Sequence, residues 1–316
     1  MSDKKKYEDF CSRNTDVPLF FQPWWLDAVC SSQWDAFVYS EGDRVFALMP
    51  YCLKRKYGFN TIKPPMLTPY GGVWFSYPSN ISLCKKYSLE IKAMEYFAER
   101  LKKMRIAFFA ARFHHSVTNW LGFYWNGFKQ TTFYTYRISG LDDMQSVFAN
   151  IDGSVKKRIK KLEKDFEITS DMTTREFYEV NRMTYERQGV TCPFSYDLFA
   201  KVEDACRQRG LGRMFAIRDK EDNVHSVAYV VVHNEVCYGL FSGTDPKYRR
   251  FNAATLLLWH IINHASQCGC REYDYTGSVM RPIETFIRHF GAMQTPYFYI
   301  EKRYSALYSF LLKLKG

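Results

Sequence analysis

The chain has 316 residues and a mass of 37.4 kDa, about twice the usual length of one domain. Hydrophobic residues make up 47% of it and aromatic residues 18%, which excludes intrinsic disorder, a coiled coil and a collagen-like chain. Lysine and arginine outnumber aspartate and glutamate by 44 to 33, and the net charge of +11 favours anionic partners such as phosphates, nucleic acid or an acidic membrane surface.

The sequence predicts neither a membrane span nor export. Its longest clean apolar stretch has about ten residues, from Ala253 to Ile262, whereas a spanning helix needs about twenty. The first residues, Met1 to Asp9, are mostly charged, and no apolar segment with a cleavage site follows them. The nine cysteines are odd in number and scattered, so we expect free thiols and a cytoplasmic location.

The first half combines β-like runs with a shaped loop. Residues 36 to 48 contain two β-like runs joined by Glu41-Gly42-Asp43, which is the chemistry of a hairpin turn. Lys63 to Phe75 carries three prolines and a pair of glycines, which predicts a rigid loop. Tyr70 and Trp74 of this loop are candidates to line a ligand groove, although aromatic residues this abundant also build cores.

A basic helix is predicted at residues 153 to 164. Ser154 is its expected cap, and Val155, Ile159 and Leu162 form its apolar stripe. Its lysines and arginine either form a solvated face or contact an anion or an RNA backbone.

The periodicity of apolar residues predicts most of the remaining elements. In chain order they are the helix Tyr87–Lys103, the strands Met214–Ile217, Val227–Val232 and Val236–Ser242, and the helices Asn252–Gln267, Ile283–Phe290 and Ser305–Lys315.

Several segments recur at a spacing of about 165 residues, which suggests two copies of one α/β unit. The matched pairs are Tyr87–Lys103 with Asn252–Gln267, Arg105–Phe108 with Arg271–Asp274, and residues 127–134 with 291–298. We therefore expect an N-terminal domain at residues 1–150 and a C-terminal domain at residues 151–316 that begins with the basic connecting helix.

A strand, a turn and a helix follow one another between Gly239 and Leu256, and this junction is a candidate anion site. The start of a helix directs free backbone N–H groups and the positive end of the helix dipole at one spot, where a phosphate can bind. Arg249 and Arg250 add positive charge there. An ordinary capped helix with a basic turn is the alternative, and the glycine and lysine spacing of a P-loop is missing.

A second candidate lies where a strand ends in polar residues. Glu272-Tyr-Asp-Tyr-Thr-Gly-Ser places Asp274, Thr276, Gly277 and Ser278 at the strand end, where α/β folds position their sites. A plain loop is the alternative. The helix that follows carries Arg288.

Other motifs are too weak to predict chemistry. His260, His264 and Cys268 lie four apart on one helix face, but the core needs this helix and no closed zinc arrangement fits, so we expect no metal. Gly210-Leu-Gly212 lacks the third glycine of a dinucleotide loop, and no Gly-x-Ser-x-Gly hydrolase motif occurs.

Four segments together resemble the Fem family and its uncharacterised bacterial relatives in the GNAT acetyltransferase superfamily. They are Pro18-Leu-Phe-Phe-Gln-Pro-Trp-Trp-Leu-Asp, Trp125-Asn-Gly-Phe-Lys-Gln-Thr-Thr-x-Tyr-Thr-Tyr, Tyr273-Asp-Tyr-Thr-Gly and Phe286-Ile-Arg-His-Phe-Gly. The resemblance covers nearly the whole chain. It implies an α/β fold with mixed sheets in two tandem acyl-CoA N-acyltransferase (GNAT)-like domains, with the site in the second half against a groove from the first.

The chemistry implied by this resemblance is acyl transfer to an amine. GNAT members take the acyl group from acyl-CoA, whereas Fem proteins take an amino acid from charged tRNA and add it to a peptidoglycan precursor. This chain lacks the long two-helix arm of several Fem members, so acyl-CoA is the preferred donor and an amine on a small molecule or cell-envelope precursor the expected acceptor. The alternatives are Fem-like transfer from tRNA and a non-catalytic protein that binds RNA or a glycan.

The resemblance and the residues together suggest roles at the site. Arg288 occupies roughly the place of a basic Fem residue and would stabilise developing negative charge, Asp274 is the candidate base, and Tyr275 would donate to the leaving group. The candidate donor-binding residues are Arg249, Arg250, Phe251, Asn252, Ala253 and Ala254, and the candidate acceptor-binding residues are Tyr70, Trp74, Thr276, Gly277 and Ser278. The glycine-rich spacing typical of a GNAT pyrophosphate loop is replaced here by Arg-Arg-Phe-Asn-Ala-Ala.

Overall fold

The computed structural model describes residues 2–31, 33–277 and 279–314. The chain forms two compact units, the first made of Met1–Phe133 with Pro296–Gly316 and the second of Tyr134–Thr295. Across the described residues, no helix combines the length and apolar character that a membrane crossing requires. The nine cysteines are free thiols.

Both units combine helices and strands. The helices are α1 (Asp3–Arg13), α2 (Pro23–Cys30), α3 (Leu83–Lys103), α4 (Leu121–Trp125), α5 (Met144–Asn150), α6 (Gly153–Leu162), α7 (Thr174–Glu186), α8 (Tyr196–Arg207), α9 (Ala254–Gln267), α10 (Arg281–Arg288) and α11 (Ala306–Lys313). The strands are β1 (Asp35–Glu41), β2 (Arg44–Tyr51), β3 (Leu53–Lys56), β4 (Phe59–Ile62), β5 (Trp74–Phe75), β6 (Phe108–Arg112), β7 (Lys129–Ser139), β8 (Phe166–Thr169), β9 (Gly212–Asp219), β10 (Val224–His233), β11 (Val236–Thr244), β12 (Glu272–Asp274) and β13 (Met293–Arg303).

The first unit packs its strands around α3. One group of strands has the order β1-β2-β5, and a second has the order β3-β4-β6-β13. The predicted hairpin is confirmed, with Gly42 at its turn in the left-handed region (φ +58°). The predicted helix is also confirmed, but α3 begins earlier than Tyr87 because the Ser82 side chain accepts a hydrogen bond from the Lys85 N–H and caps it.

The second unit is a sheet with helices on both faces. Its strand order is β7-β12-β11-β10-β9-β8. Side chains of β10 alternate: Val230 joins the core made with α6 and α9, whereas Tyr229 packs between Phe177 of α7 and Phe199 of α8. These packed layers hold β11 and β12, which carry the candidate site.

The two units do not follow the predicted division into 1–150 and 151–316. The chain passes from the first unit to the second within β7 and returns to the first within β13. Most of β7 therefore belongs to the second unit, and most of β13 belongs to the first. In the second unit, Arg137–Ser139 of β7 pair with β12, and in the first unit Tyr299–Arg303 of β13 pair with β6. Such pairings join residues far apart in sequence, which local patterns do not reveal.

The internal repeat is confirmed, with one corrected register. Lys103 and Gln267 end the two matched helices, and Gly127 and Gly291 precede the two long strands with the same φ of +74°; both pairs are 164 positions apart (267 − 103 and 291 − 127). The same offset pairs Phe108 of β6 with Glu272 of β12. The predicted alignment of Arg105–Phe108 with Arg271–Asp274 is therefore two residues out of register.

The basic helix α6 lies within the second unit. Its apolar stripe is buried as predicted, but Asp152 rather than Ser154 is the cap, because the helix begins at Gly153 and the Asp152 carboxylate accepts a 2.9 Å hydrogen bond from the Ser154 N–H. Lys156 donates from Nζ to the Ala149 carbonyl at 2.6 Å. The lysines that remain exposed on this helix are Lys157, Lys160 and Lys161.

Candidate active site

Two parallel strands of the second unit separate after a short pairing. β11 and β12 pair only between Val236–Tyr238 and Glu272–Asp274, and β11 then continues to Thr244. The pairing with β10 also shifts after Gly239, which leaves Leu240 as an extra, bulged residue. The backbone of β11 from Gly239 onward therefore has an edge that β12 does not cover. An extended, amide-containing ligand can hydrogen-bond to such an edge.

Gly239 is the point of closest approach between β11 and the residues of β12. A Cβ atom at Gly239 would lie 2.1 Å from the Tyr273 hydroxyl oxygen. The hydroxyl of Thr276 donates a 2.9 Å hydrogen bond to the Gly239 carbonyl. A glycine inside a strand is a sequence signal for close approach of this kind.

Asp274 organises the end of β12. It is 0% exposed, and its Oδ1 accepts hydrogen bonds from the Thr135 hydroxyl at 2.6 Å and the Thr276 N–H at 2.7 Å. Thr276 and Gly277 both adopt positive φ, +57° and +94°. A β-branched residue pays about 1–3 kcal/mol for this conformation, so the two hydrogen bonds of Thr276 hold a strained turn in place. Ser278, which the sequence also placed in this turn, lies outside the described residues.

Tyr275 presents a buried hydroxyl that no described residue satisfies. Its ring packs edge-on against Tyr273 at 4.8 Å between centres, and its N–H donates to the Tyr136 carbonyl at 3.0 Å. Burial raises the pKa of Tyr275 well above its ordinary value, so the phenol keeps its proton at neutral pH. A buried hydroxyl without a partner costs about 1–3 kcal/mol, and an acceptor atom of a ligand would recover that cost.

Arg288 lies at the end of a polar chain on α10. Its Nε is 3.1 Å from a Glu284 carboxylate oxygen, and the Arg288 side chain is 63% exposed. The Tyr136 hydroxyl donates to the same carboxylate at 3.3 Å and accepts from the Gln294 amide at 2.8 Å. Burial is the main cause that raises the pKa of Tyr136. Arg288 is therefore accessible to a ligand, with Glu284 as its present counter-ion.

The predicted donor-binding residues form a continuous turn before α9. Pro246–Phe251 is a 3-10 turn, and Asn252 follows in the left-handed region (φ +56°). Phe251 packs against the buried ring of His225 at 5.1 Å. Ala253 precedes α9, and no side-chain hydrogen bond caps the helix among the described residues. The N–H groups of Thr255 and Leu256 already donate to the Asn252 and Ala253 carbonyls, each at 3.0 Å. Among the described residues, the N–H groups of Ala253 and Ala254 are therefore the ones left for another acceptor.

Arg249 and Arg250 flank this uncapped helix start. Both side chains are exposed, and neither makes an ion pair with any described residue. They precede Ala254, the first residue of α9, where the positive end of the helix dipole lies. The arrangement suits a phosphate or pyrophosphate group.

The two aromatic residues predicted for an acceptor groove do not lie together. Tyr70 is buried in the first unit, where it borders a small cavity shared with Lys63 and Arg112. Trp74 is half-buried and packs edge-on against Phe10 at 5.8 Å, outside that cavity. Only Tyr70 is placed to contact a ligand in the cavity.

The histidine and cysteine row on α9 has a packing role. His260 and His264 pack on Phe215 at 5.4 and 5.0 Å, and burial lowers the pKa of both imidazoles. The Cys268 thiol is 3.4 Å from His264 Nε2. Neutral imidazoles that stack on a core ring fit this helix as a structural element.

The sequence did not predict the residues that support the end of β12. These are Thr135, Tyr136, Gly239, Glu284 and Gln294. The isolated glycine within a predicted strand was the available signal for Gly239. No local pattern links Thr135 to Asp274, because 139 residues separate them.

Comparison with known proteins agrees with this geometry. Residues 150–284 match the family described as acetyltransferase (GNAT) domain. This segment is similar to a GNAT domain. It contains β11, β12, all of α9 and the first half of α10, and it ends before Arg288. The predicted resemblance and the predicted class of enzyme, an acyltransferase, are confirmed at this level.

Solved structures show the tandem GNAT fold over most of the chain. FemX is 12% identical, with 93% of this chain and 95% of that chain covered and a TM-score of 0.66. L-PGS from Bacillus licheniformis is 10% identical, with 98% of this chain and 95% of that chain covered and a TM-score of 0.56. A tandem GNAT protein from the clavulanic acid biosynthesis pathway is 11% identical, with 85% of this chain and 82% of that chain covered and a TM-score of 0.52. No curated protein matches the chain.

Proposed function

We propose that this chain is an N-acyltransferase that moves an acyl group from acyl-CoA to an amine of a small molecule or cell-envelope precursor. The observation that carries the proposal is the uncovered edge of β11 beside an uncapped helix start, within the GNAT domain. The cytoplasm of a bacterium, where CoA thioesters are made, is the compartment proposed for the reaction.

The donor would bind along β11 toward α9. Its pyrophosphate would accept hydrogen bonds from the N–H groups of Ala253 and Ala254 at the start of α9, with Arg249 and Arg250 as counter-ions. Phe251, Asn252, Ala253 and Ala254 shape this turn. The amide groups of the donor would pair with the backbone of β11 just beyond its pairing with β12, which brings the acyl carbonyl to the bulge near Gly239.

The reaction joins the amine nitrogen to the acyl carbon and releases the thiol. The amine loses one proton, for which Asp274 is the proposed acceptor, and the leaving sulfur gains one, for which Tyr275 is the proposed donor. The protonated, unpartnered hydroxyl of Tyr275 supports the second role. The buried position of Asp274, with two donors on one oxygen, also makes it a positioning residue for the turn.

Arg288 is proposed to stabilise the oxyanion of the tetrahedral intermediate. Its guanidinium is exposed and can turn from Glu284 toward developing negative charge. Thr276 and Gly277 would contact the acceptor at the strand end. In the first unit, Tyr70 borders the small cavity, and Trp74, packed on Phe10, supports that region.

A charged tRNA is the second candidate donor, because α6 presents the exposed lysines Lys157, Lys160 and Lys161. An RNA backbone fits such a face. The same face also supports the third candidate, a non-catalytic RNA-binding or glycan-binding protein on this scaffold.

Acetylation of an amine panel with acetyl-CoA, followed by mass spectrometry and thiol release, tests the proposal. We expect Arg288→Ala to lower kcat by about tenfold or more while the KM for the amine changes less than about twofold. Arg271→Ala is the matched control, since Arg271 is also exposed and ion-paired, with Glu235 at 3.1 Å. An unchanged rate in Arg288→Ala removes this residue from the mechanism, and no product with any amine would contradict the proposed reaction.

A further inference from the structure

The last helix, α11, attaches to the first unit by one side. Tyr308 is fully buried, 5.6 Å from Phe59 and 6.3 Å from Phe108 between ring centres. Leu312 packs against the same small core. This contact fixes the orientation of the helix and leaves its opposite side toward solvent.

That opposite side is apolar. Leu307 is 60% exposed, Phe310 58% and Leu314, the residue that caps the helix, 66%. Because they are spaced by three and four residues, they share one face of the helix. We call these three residues the α11 face. A face of two leucines and a phenylalanine left in water marks an interaction site rather than a random exposed residue.

Strand β3 beside this core is strongly basic. Lys54, Arg55 and Lys56 are all exposed, and Lys56 pairs with Phe59, which contacts Tyr308. We call these three residues the basic strand. Within the ranges that the structure describes, none of the three forms an ion pair.

The surrounding sequence supplies no compensating charge. Between Arg44 and Leu89, and again from Tyr304 to the end, the chain contains no aspartate or glutamate. Lys63 adds another positive charge, with its Nζ 5.3 Å from the ring centre of Phe108. The basic strand and Lys63 therefore lie beside the small core that holds α11, and no acidic residue is near them in sequence.

We propose that the α11 face and the basic strand bind the surface of an anionic phospholipid membrane. The leucines and the phenylalanine enter the boundary between headgroups and acyl chains. Lys54 and Lys56, which share the face of β3 on which Phe59 contacts α11, contact lipid phosphates, and Arg55 on the other face adds to the positive charge. A nucleic acid would use the charges but gain nothing from Leu307 and Phe310. A second copy of the chain would bring two basic strands together, which like-charge repulsion opposes.

Vesicle flotation with the full chain tests the proposal. The probes are vesicles of phosphatidylcholine and of a phosphatidylcholine–phosphatidylglycerol mixture. We expect a preference of at least about tenfold for the mixture at about 0.1 M salt. Leu307→Ser with Phe310→Ser should lower binding by about tenfold or more. Lys54→Gln, Arg55→Gln and Lys56→Gln together should lower it by a similar factor and reduce its salt dependence.

Two matched controls distinguish binding by this surface from non-specific binding through other exposed apolar or basic residues. Leu121→Ser with Tyr124→Ser changes exposed apolar residues of α4, and Lys85→Gln with Lys92→Gln changes exposed lysines of α3. Both should bind vesicles as the parent chain does. Thermal unfolding, monitored by circular dichroism, checks that each variant folds. If the α11 variant does not fold, the basic-strand variant still tests the proposal.

Three outcomes would overturn the proposal. They are equal binding to both kinds of vesicle or to neither, binding that survives both sets of substitutions, and an equal loss in the α3 lysine control. Self-association of the parent chain that disappears in the α11 variant, without lipid binding, would assign the face to a second copy instead. Because no acyl donor is present, these outcomes do not depend on the proposed transferase reaction.

Discussion

The hydroxyl of Thr276 donates a 2.9 Å hydrogen bond to the Gly239 carbonyl, and this contact joins the end of β12 to the bulged part of β11. The bond stabilises Thr276 in its positive-φ conformation and occupies the Gly239 carbonyl, which a ligand would otherwise be able to bind. It thereby defines where the two strands begin to separate. The proposed site depends on that separation.

Removing this hydrogen bond should impair transfer more than folding. Thr276→Val keeps the shape of the side chain but leaves the Gly239 carbonyl without its donor, so we expect a loss of about 1 kcal/mol in the free energy of unfolding. The kcat/KM for acyl transfer should fall by about tenfold because the turn at the strand end is no longer fixed. Thr276→Ser should recover most of the rate. Equal rates for the parent chain and Thr276→Val would show that the contact is dispensable.

A methyl group at Gly239 should not fit. Its Cβ would lie 2.1 Å from the Tyr273 hydroxyl, so Gly239→Ala should lower the free energy of unfolding by about 1–3 kcal/mol in urea titrations. Tyr273→Phe in the same chain removes the clashing oxygen and should recover part of this loss. Gly153→Ala, with no atom within 4 Å of the added Cβ, is the matched control. A stable Gly239→Ala protein would contradict the close packing of these strands.

The buried histidine near the donor turn predicts a pH effect on stability. The hydrogen bond from His225, at 2.9 Å, lowers the pKa of Asp219 to about 2. The unfolded value is about 3.9, so the carboxylate contributes stability that is fully present above about pH 5 and is lost as the pH falls toward 2.

Urea unfolding of the parent chain and Asp219→Asn between pH 6 and about 2.5 measures this contribution. The difference in the free energy of unfolding should narrow as the pH falls. Asp165→Asn, at an exposed carboxylate 4.0 Å from Lys220, is the control and should show little change. A constant difference for Asp219→Asn over this range would refute the assignment.

The basic face of α6 should contact RNA if RNA is a ligand. Lys157→Gln, Lys160→Gln and Lys161→Gln together should weaken tRNA binding and reduce the slope of log affinity against log salt by about two. Lys156 is left intact because it donates to the Ala149 carbonyl. Fluorescence anisotropy at several salt concentrations gives both quantities.

Three exposed lysines of α3, Lys85, Lys92 and Lys102, provide the charge-matched control for this experiment. Their replacement by glutamine should leave the affinity of the parent chain nearly unchanged. If the α6 variant keeps both its affinity and its salt slope, the face is simply solvated.

Local patterns in the sequence predicted many elements of both units. The hairpin, β11 and α9 follow from apolar periodicity, and the repeat with Gly127 and Gly291 follows from matched spacing. Helix α7 was missed although its start carries a capping box, in which the Thr173 side chain and Glu176 bond each other's backbone N–H groups.

The rest depends on contacts between distant parts of the chain. The unit boundaries are set by β7 and β13, which pair with strands far away in sequence. The support of Asp274 by Thr135 spans 139 positions. Tyr70 and Trp74 are four residues apart, yet only Tyr70 reaches the cavity, because the pairing of Trp74 with Leu48 on β2 turns the chain away.

Calorimetric titration with acetyl-CoA tests the central claim most directly. We predict saturable binding with a Kd near or below about 100 µM, on the order of −5.5 kcal/mol. Arg249→Gln with Arg250→Gln should weaken it by about tenfold, while Lys220→Gln, an exposed lysine elsewhere in the second unit, should leave it unchanged. The absence of binding at millimolar acetyl-CoA, in low and in moderate salt, would contradict an acyl-CoA donor and favour charged tRNA or a protein without a donor.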